Sequence, residues 1–169
     1  MKYYTKKGDG GMTDLMMNGK FQRVSKKHSI IVLLGKLDLL NADVGCCPTA
    51  RCEKLESELT TIQSTIYRIS GHIGYETALP DLVSLIADLE SSCDFYAKEA
   101  GSINGFIIPR GNYHRARTMC RTVEIESYIQ GIDENIPKFL NRLSDYLFAA
   151  GRYYNNVILK RDELYAKLN

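Results

Sequence analysis

Residues 49–70 read TARCEKLESELTTIQSTIYRIS, and the spacing of their apolar side chains decides the fold class. Leu55, Leu59, Ile62, Ile66 and Ile69 recur three or four apart, the period of one face of an α-helix. Glu53, Lys54, Glu56 and Glu58 stay off that stripe. The same period extends in both directions. Upstream, His28 to about Val44 carries Ile30, Ile31, Leu33, Leu34, Leu37 and Leu40, and Gly45 and Pro48 end that helix. Downstream, 71–79 reads as a loop that leaves His72 exposed. Pro80-Asp81 then opens a helix whose stripe is Leu82, Leu85, Ile86, Leu89, Cys93 and Tyr96, stopped by Gly101. A fourth helix spans about Asn112 to Ile129. A fifth runs from Ile132 to about Leu168 on Ile136, Phe139, Leu140, Leu143, Leu147, Ala150, Tyr154 and Ile158, its charged tail from Asn155 solvated. Five long helices on short connections predict an all-α, up-and-down five-helix bundle formed as one domain over residues 1–169.

The totals narrow the function classes. A net charge of +2 on 169 residues disfavours a general nucleic-acid binder. No apolar run reaches transmembrane length, and the start is neither a signal peptide nor an Arg/Ser-rich transit peptide, so no membrane partner is expected. Cys46, Cys47, Cys52, Cys93 and Cys120 are odd in number and irregular in spacing. They read as reduced thiols in a cytoplasmic protein, with no metal site among them.

The chemistry is concentrated in the segments least suited to a bundle. Tyr3 to Thr13 carries Gly8, Gly10 and Gly11 within four positions, which excludes a helix or an ordinary strand there. With Thr5, Lys6, Lys7, Thr13 and, further on, Lys26, residues 1–27 form a basic, glycine-rich arm. Glycines let successive N–H groups turn toward an anion, so the arm suits a polyphosphate. The residues alone read first as a solvated N-terminal tail. The arm matches neither the phosphate-loop pattern G-x-x-x-x-G-K-[ST] nor the dinucleotide pattern G-x-G-x-x-G. Between the third and fourth helices, 103–111 (INGFIIPRG) is an extended loop without a partner strand. Within it, Phe106 is by itself a core plug. On the fourth helix Arg117 and Arg121 share a face and Glu124 follows one turn later, which alone reads first as a solvated stripe or an Arg–Glu ladder.

Several of these stretches, in order, resemble the PduO-type ATP:cob(I)alamin adenosyltransferases. Thr5-Lys6-x-Gly8-Asp9-x-Gly11-x-Thr13-x-Leu15 is similar to the family's opening T-K-x-G-D-x-G-x-T-x-L, and Arg23-Val24-Ser25-Lys26 to its second nucleotide-contacting segment. Leu37-Asp38-x-Leu40-Asn41-x-x-x-Gly45 follows L-D-E-L-N-x-x-x-G with Leu39 in the glutamate's place, and Phe106-Ile107-Ile108-Pro109-Arg110-Gly111 follows F-I-L-P-G-G. The run 116–124 (ARTMCRTVE) resembles A-R-T-x-x-R-R-A-E, and 140–148 (LNRLSDYLF) is similar to L-N-R-L-S-D-Y-L-F throughout.

The resemblance implies a homotrimer that binds ATP between subunits and transfers its 5′-deoxyadenosyl group to cob(I)alamin with Mg²⁺. It implies nucleotide contacts at Thr5, Lys6, Gly8, Asp9, Gly11, Thr13, Lys26, Arg121, Glu124 and Asn141. Asp38 would pair with Arg117 of a neighbouring subunit, and Phe106 would lie under the corrin. The loop after Phe106 is shorter than the family's and carries Arg110 where a glycine is usual. A non-catalytic binder of an adenine nucleotide on the same scaffold is the alternative.

Overall fold

The computed structural model describes residues 2–167. After an N-terminal turn, β1 (Met12–Met17) and β2 (Lys20–Ser25) form an antiparallel hairpin in which Met12 faces Ser25 and Met17 faces Lys20. Five α-helices follow: α1 (Ser29–Gly45), α2 (Glu53–Tyr75), α3 (Leu82–Ala100), α4 (Asn112–Ile129) and α5 (Asn135–Tyr153). The fold is therefore mostly helical with one small sheet, and the all-α expectation is corrected at the arm.

The hairpin has a local cause. Gly8, Gly10 and Gly11 stay in the preceding turn, so they do not interrupt β1. Asn18 and Gly19 both take positive φ (54° and 71°), the two-residue connection that matches the twist of paired strands. Glu76, itself at φ 52° just past α2, accepts hydrogen bonds from both turn amides, Asn18 N at 2.7 Å and Gly19 N at 2.8 Å. Phe21 meets Tyr75 edge-on, so the hairpin is seated on the C-terminal end of α2.

Side chains cap the starts of two helices. The His28 ring accepts from Ile30 N at α1, and the Asp81 carboxylate accepts from Ser84 N at α3. α2 runs on to Tyr75, so His72 is helical; its Nδ1 lies 2.7 Å from the Thr77 carbonyl.

α1 packs on α2 and α4, and α5 packs on α3 and α4, around a core that includes Leu37, Ile66, Phe139, Leu143 and Leu147. α4 and α5 approach closely at Gly151, where a Cβ would lie 2.7 Å from Tyr113 Cβ. Any larger residue there would overpack the seam, at a cost of about 1–3 kcal/mol.

Glu58, off the apolar stripe of α2, is drawn inward rather than left to water. It reaches between α2, α3 and α5, where it accepts from Ser92 Oγ (2.7 Å), Tyr96 OH (2.6 Å) and Tyr146 OH (2.9 Å) and pairs with Lys54. The fifth helix does not continue toward Leu168, a residue outside those described. It ends at Tyr153 in a π-helical turn, Tyr154–Ile158, after which the chain folds back. The returning tail is largely exposed, as expected, but it is pinned at Glu163, which forms an ion pair with the buried Arg152.

Candidate functional site

The arm gathers its predicted residues into one small structure. Asp9 N donates to the Lys6 carbonyl (3.2 Å), Gly11 N to the Gly8 carbonyl (3.1 Å) and Lys26 N to the Gly11 carbonyl (2.8 Å). These bonds lay the glycine turn beside the end of β2, and Thr13 follows within β1, opposite Val24. Arg23 braces the turn by pairing with Asp14 at 3.1 Å and donating to the Lys7 carbonyl. The Lys26 ammonium then sits against Gly8, where an added Cβ would lie 3.0 Å from Nζ. Thr5, Lys6, Asp9 and Gly11 stay exposed around it. A turn of glycine backbone flanked by an ammonium and hydroxyls is a cradle for a polyanion.

A second cluster forms where α4 meets α5. Arg117, Arg121 and Glu124 fall along one stripe of α4. From α5, Asn141 Nδ2 donates to Glu124 Oε1 at 2.9 Å, which orients the carboxylate. Arg121 is exposed and enters no ion pair among the described residues. Arg117 lies over the Phe148 ring, its guanidinium carbon 5.4 Å from the centroid. His114, on the same helix, is buried; burial and then the nearby Arg117 charge hold its imidazole below its ordinary pKa. Arg115, also on α4, pairs with the buried Asp43 at 3.0 Å, which ties α4 to the end of α1.

These two clusters are separate within one chain. The hairpin packs on α2, and among the described residues no hydrogen bond or ion pair links the arm to Arg121, Glu124 or Asn141. Asp38 is exposed on α1, and no ion pair to it forms within the described residues. The exposed face of α1 and α4 also carries Val32, Leu39, Ile125, Tyr128 and Ile129. Lys36 on α1 pairs with Glu126 on α4 and joins these apolar positions into one surface.

The third predicted element is the loop before α4. Phe106 is 73% exposed, not a core plug. The segment stays an extended loop, as expected, but a single antiparallel bridge pairs its Ile107 with Tyr165 in the returning tail. Arg110 lines a cavity of about 240 Å³ between this loop, His114 and the tail. Among the described residues no group of three or more His, Cys, Asp or Glu side chains could hold a metal ion, and no helix is long and apolar enough to cross a membrane.

Residues 3–154 match the family model described as Cobalamin adenosyltransferase. The chain is 33% identical to the corrinoid adenosyltransferase of Bacillus subtilis over 92% of this chain and 87% of that protein. It is 29% identical to the human corrinoid adenosyltransferase MMAB, over 98% of this chain and 74% of that protein. Its fold superimposes with a TM-score of 0.88, at 27% identity, on a variant of the PduO-type ATP:corrinoid adenosyltransferase from Lactobacillus reuteri complexed with cobalamin and ATP. That match covers 99% of this chain and 100% of the other.

Proposed function

The chain belongs to the cobalamin adenosyltransferase family, and from that premise we propose that it transfers the 5′-deoxyadenosyl group of ATP to cob(I)alamin. The observation that carries this reading is the family match itself. It runs unbroken over residues 3–154 and so takes in both the glycine-rich arm and the α4–α5 cluster.

In the proposed reaction the cobalt(I) electron pair forms a bond to C5′ of the ribose, the C5′–O bond breaks, and triphosphate leaves with that oxygen. Triphosphate departs readily only if its accumulating charge is neutralised. Lys6 and Lys26 supply ammonium groups, and the glycine turn supplies the Gly8 and Gly10 amides, those of Asp9 and Gly11 being engaged within it. Arg121, free of an ion pair among the described residues, supplies a guanidinium. Glu124 and Asn141, already hydrogen bonded at 2.9 Å, orient the nucleotide, with Thr5, Asp9 and Thr13 framing the phosphates. Mg²⁺ binds phosphate oxygens and water more readily than an all-protein cage, and it would add Lewis-acid charge stabilisation. Phe106, held outward, shields the cobalt side from water.

The separation of the two clusters supports a site shared between subunits, the arm of one facing the α4–α5 cluster of the next. The apolar surface of α1 and α4 suits burial in a homotrimer in which Asp38 meets the partner's arginine equivalent to Arg117. We take residues 1–169 as one domain with 1–27 as its nucleotide-binding arm, because one core cluster reaches all five helices. The five unpaired thiols suit the cytoplasm.

Arg121→Ala tests the reading. The side chain is exposed, so the fold should persist while transfer falls by at least about 10²-fold. Wild-type turnover in that variant would remove Arg121 from the site.

A further inference from the structure

We propose that Glu163, in the returning tail, is a positioning residue for the corrin-side loop and acts through backbone pairing to fix Phe106. This rests on the reading above, in which Phe106 faces the corrin.

Phe106 is 73% exposed and so takes little support from the core. Its backbone must therefore hold it. That backbone is loose by composition: the loop lies between Gly101 (φ 80°) and Gly111 (φ 83°), and Gly105 sits at φ 147°. The tail supplies what the loop lacks. Ala166 N donates to the Phe106 carbonyl and Ile108 N to the Leu164 carbonyl, both at 2.7 Å. The Tyr165 ring covers Gly105, 3.4 Å from where a Cβ would be. Phe106 is thus held on either side of the Ile107–Tyr165 pair.

The tail in turn is held by one buried ion pair. Arg152 is 3% exposed, and its Nε and Nη2 donate to the two Glu163 oxygens at 2.6 and 3.2 Å. Tyr165 OH donates to the same carboxylate at 2.7 Å, and Arg152 Nη2 also reaches the Ser102 carbonyl at 3.2 Å, at the start of the loop. The π-helical turn that ends α5 reverses the chain so that Glu163 can return to Arg152. Removing the carboxylate leaves a buried guanidinium unpaired, which expels the tail more readily than it unfolds the bundle.

The test is Glu163→Gln, read in two ways. By hydrogen exchange, the Ile108 and Ala166 amides should lose protection while core amides of α4 and α5 keep theirs. In steady-state transfer, kcat/KM for cob(I)alamin should fall roughly 10- to 100-fold, as expected for a group misplaced by an ångström, with KM for ATP unchanged. Tyr165→Phe, which removes one hydrogen bond to the carboxylate, should show the same pattern more weakly and serves if Glu163→Gln does not fold. Unchanged protection at Ile108, or a loss shared equally by ATP and cob(I)alamin, overturns the proposal. If the wild-type protein makes no adenosylcobalamin, the reading of function fails, and the exchange data alone then decide whether Glu163 holds the loop.

Discussion

Asn141 on α5 donates from Nδ2 to Oε1 of Glu124 on α4 at 2.9 Å, joining two side chains that lie 17 residues apart in sequence. The contact ties the α4 stripe bearing Arg117 and Arg121 to the neighbouring helix and sets the direction of the carboxylate. Both residues stand at the protein surface or close to it, so neither is needed to fill the core. Asn141→Ala should therefore weaken ATP binding about tenfold, the scale of one hydrogen bond to a charged group, with the thermal midpoint little changed. Calorimetric titration with Mg-ATP checks this; equal affinity would take Asn141 out of the nucleotide site.

Gly8 tests the arm. A Cβ at that position would lie 3.0 Å from Lys26 Nζ and 3.4 Å from its Cε, so Gly8→Ala displaces the ammonium by a few tenths of an ångström. The long lysine can move at little cost, so stability should hold. KM for ATP should rise, at most about tenfold, because a charge-assisted contact is weakened. Unchanged KM would mean that Lys26 does not act beside Gly8.

Much of the architecture could be read from apolar spacing, because α1, α2 and α3 bury one face and leave the other to water. The departures share a physical cause. Asn18-Gly19 specifies a tight reversal through positive φ at two adjacent residues, a signal that hydrophobic periodicity does not carry. The α5 stripe continues through Tyr154 and Ile158, yet those side chains pack while the backbone leaves the helix. Glu58 and Glu163 look like solvated charges until partners 34 to 88 residues away for Glu58, and 11 for Glu163, come into contact. The motif residues of the arm and of α4 could be picked out in advance, but their separation within the chain could not.

Glu58 makes the acid limb of stability predictable. Burial opposes its ionisation, but hydrogen bonds from Lys54, Tyr96, Ser92 and Tyr146 outweigh that and hold its carboxyl below the usual range. A carboxylate lowered in the folded state stabilises fully above its unfolded pKa of about 4.3, and the benefit is lost as pH falls through the lower, folded value. Glu163 is shifted the same way, its bonds from Arg152 and Tyr165 overcoming burial. Glu58→Gln should thus remove part of the loss in denaturant midpoint between pH 6 and pH 3 (roughly the carboxylate range) and lower stability at neutral pH by about 1–3 kcal/mol. An acid slope identical to wild type would contradict the assignment.

In the proposed trimer, the subunit contact rests on Asp38 and Arg117. Light scattering should give three times the chain mass for the wild type. Asp38→Arg should dissociate the assembly, and adding Arg117→Asp should restore it in part, since the reversed pair regains its attraction across the interface. A monomeric wild type would remove the shared site.

The central claim is tested most directly without oxygen, by mixing the protein with Mg-ATP and chemically reduced cob(I)alamin and following the visible spectrum and the chromatography of the corrin. The account predicts adenosylcobalamin formed only with protein, together with one triphosphate per turnover. Nucleotide bound but no adenosylcobalamin formed would contradict it and leave the glycine arm and the α4–α5 cluster as a site for nucleotide recognition alone.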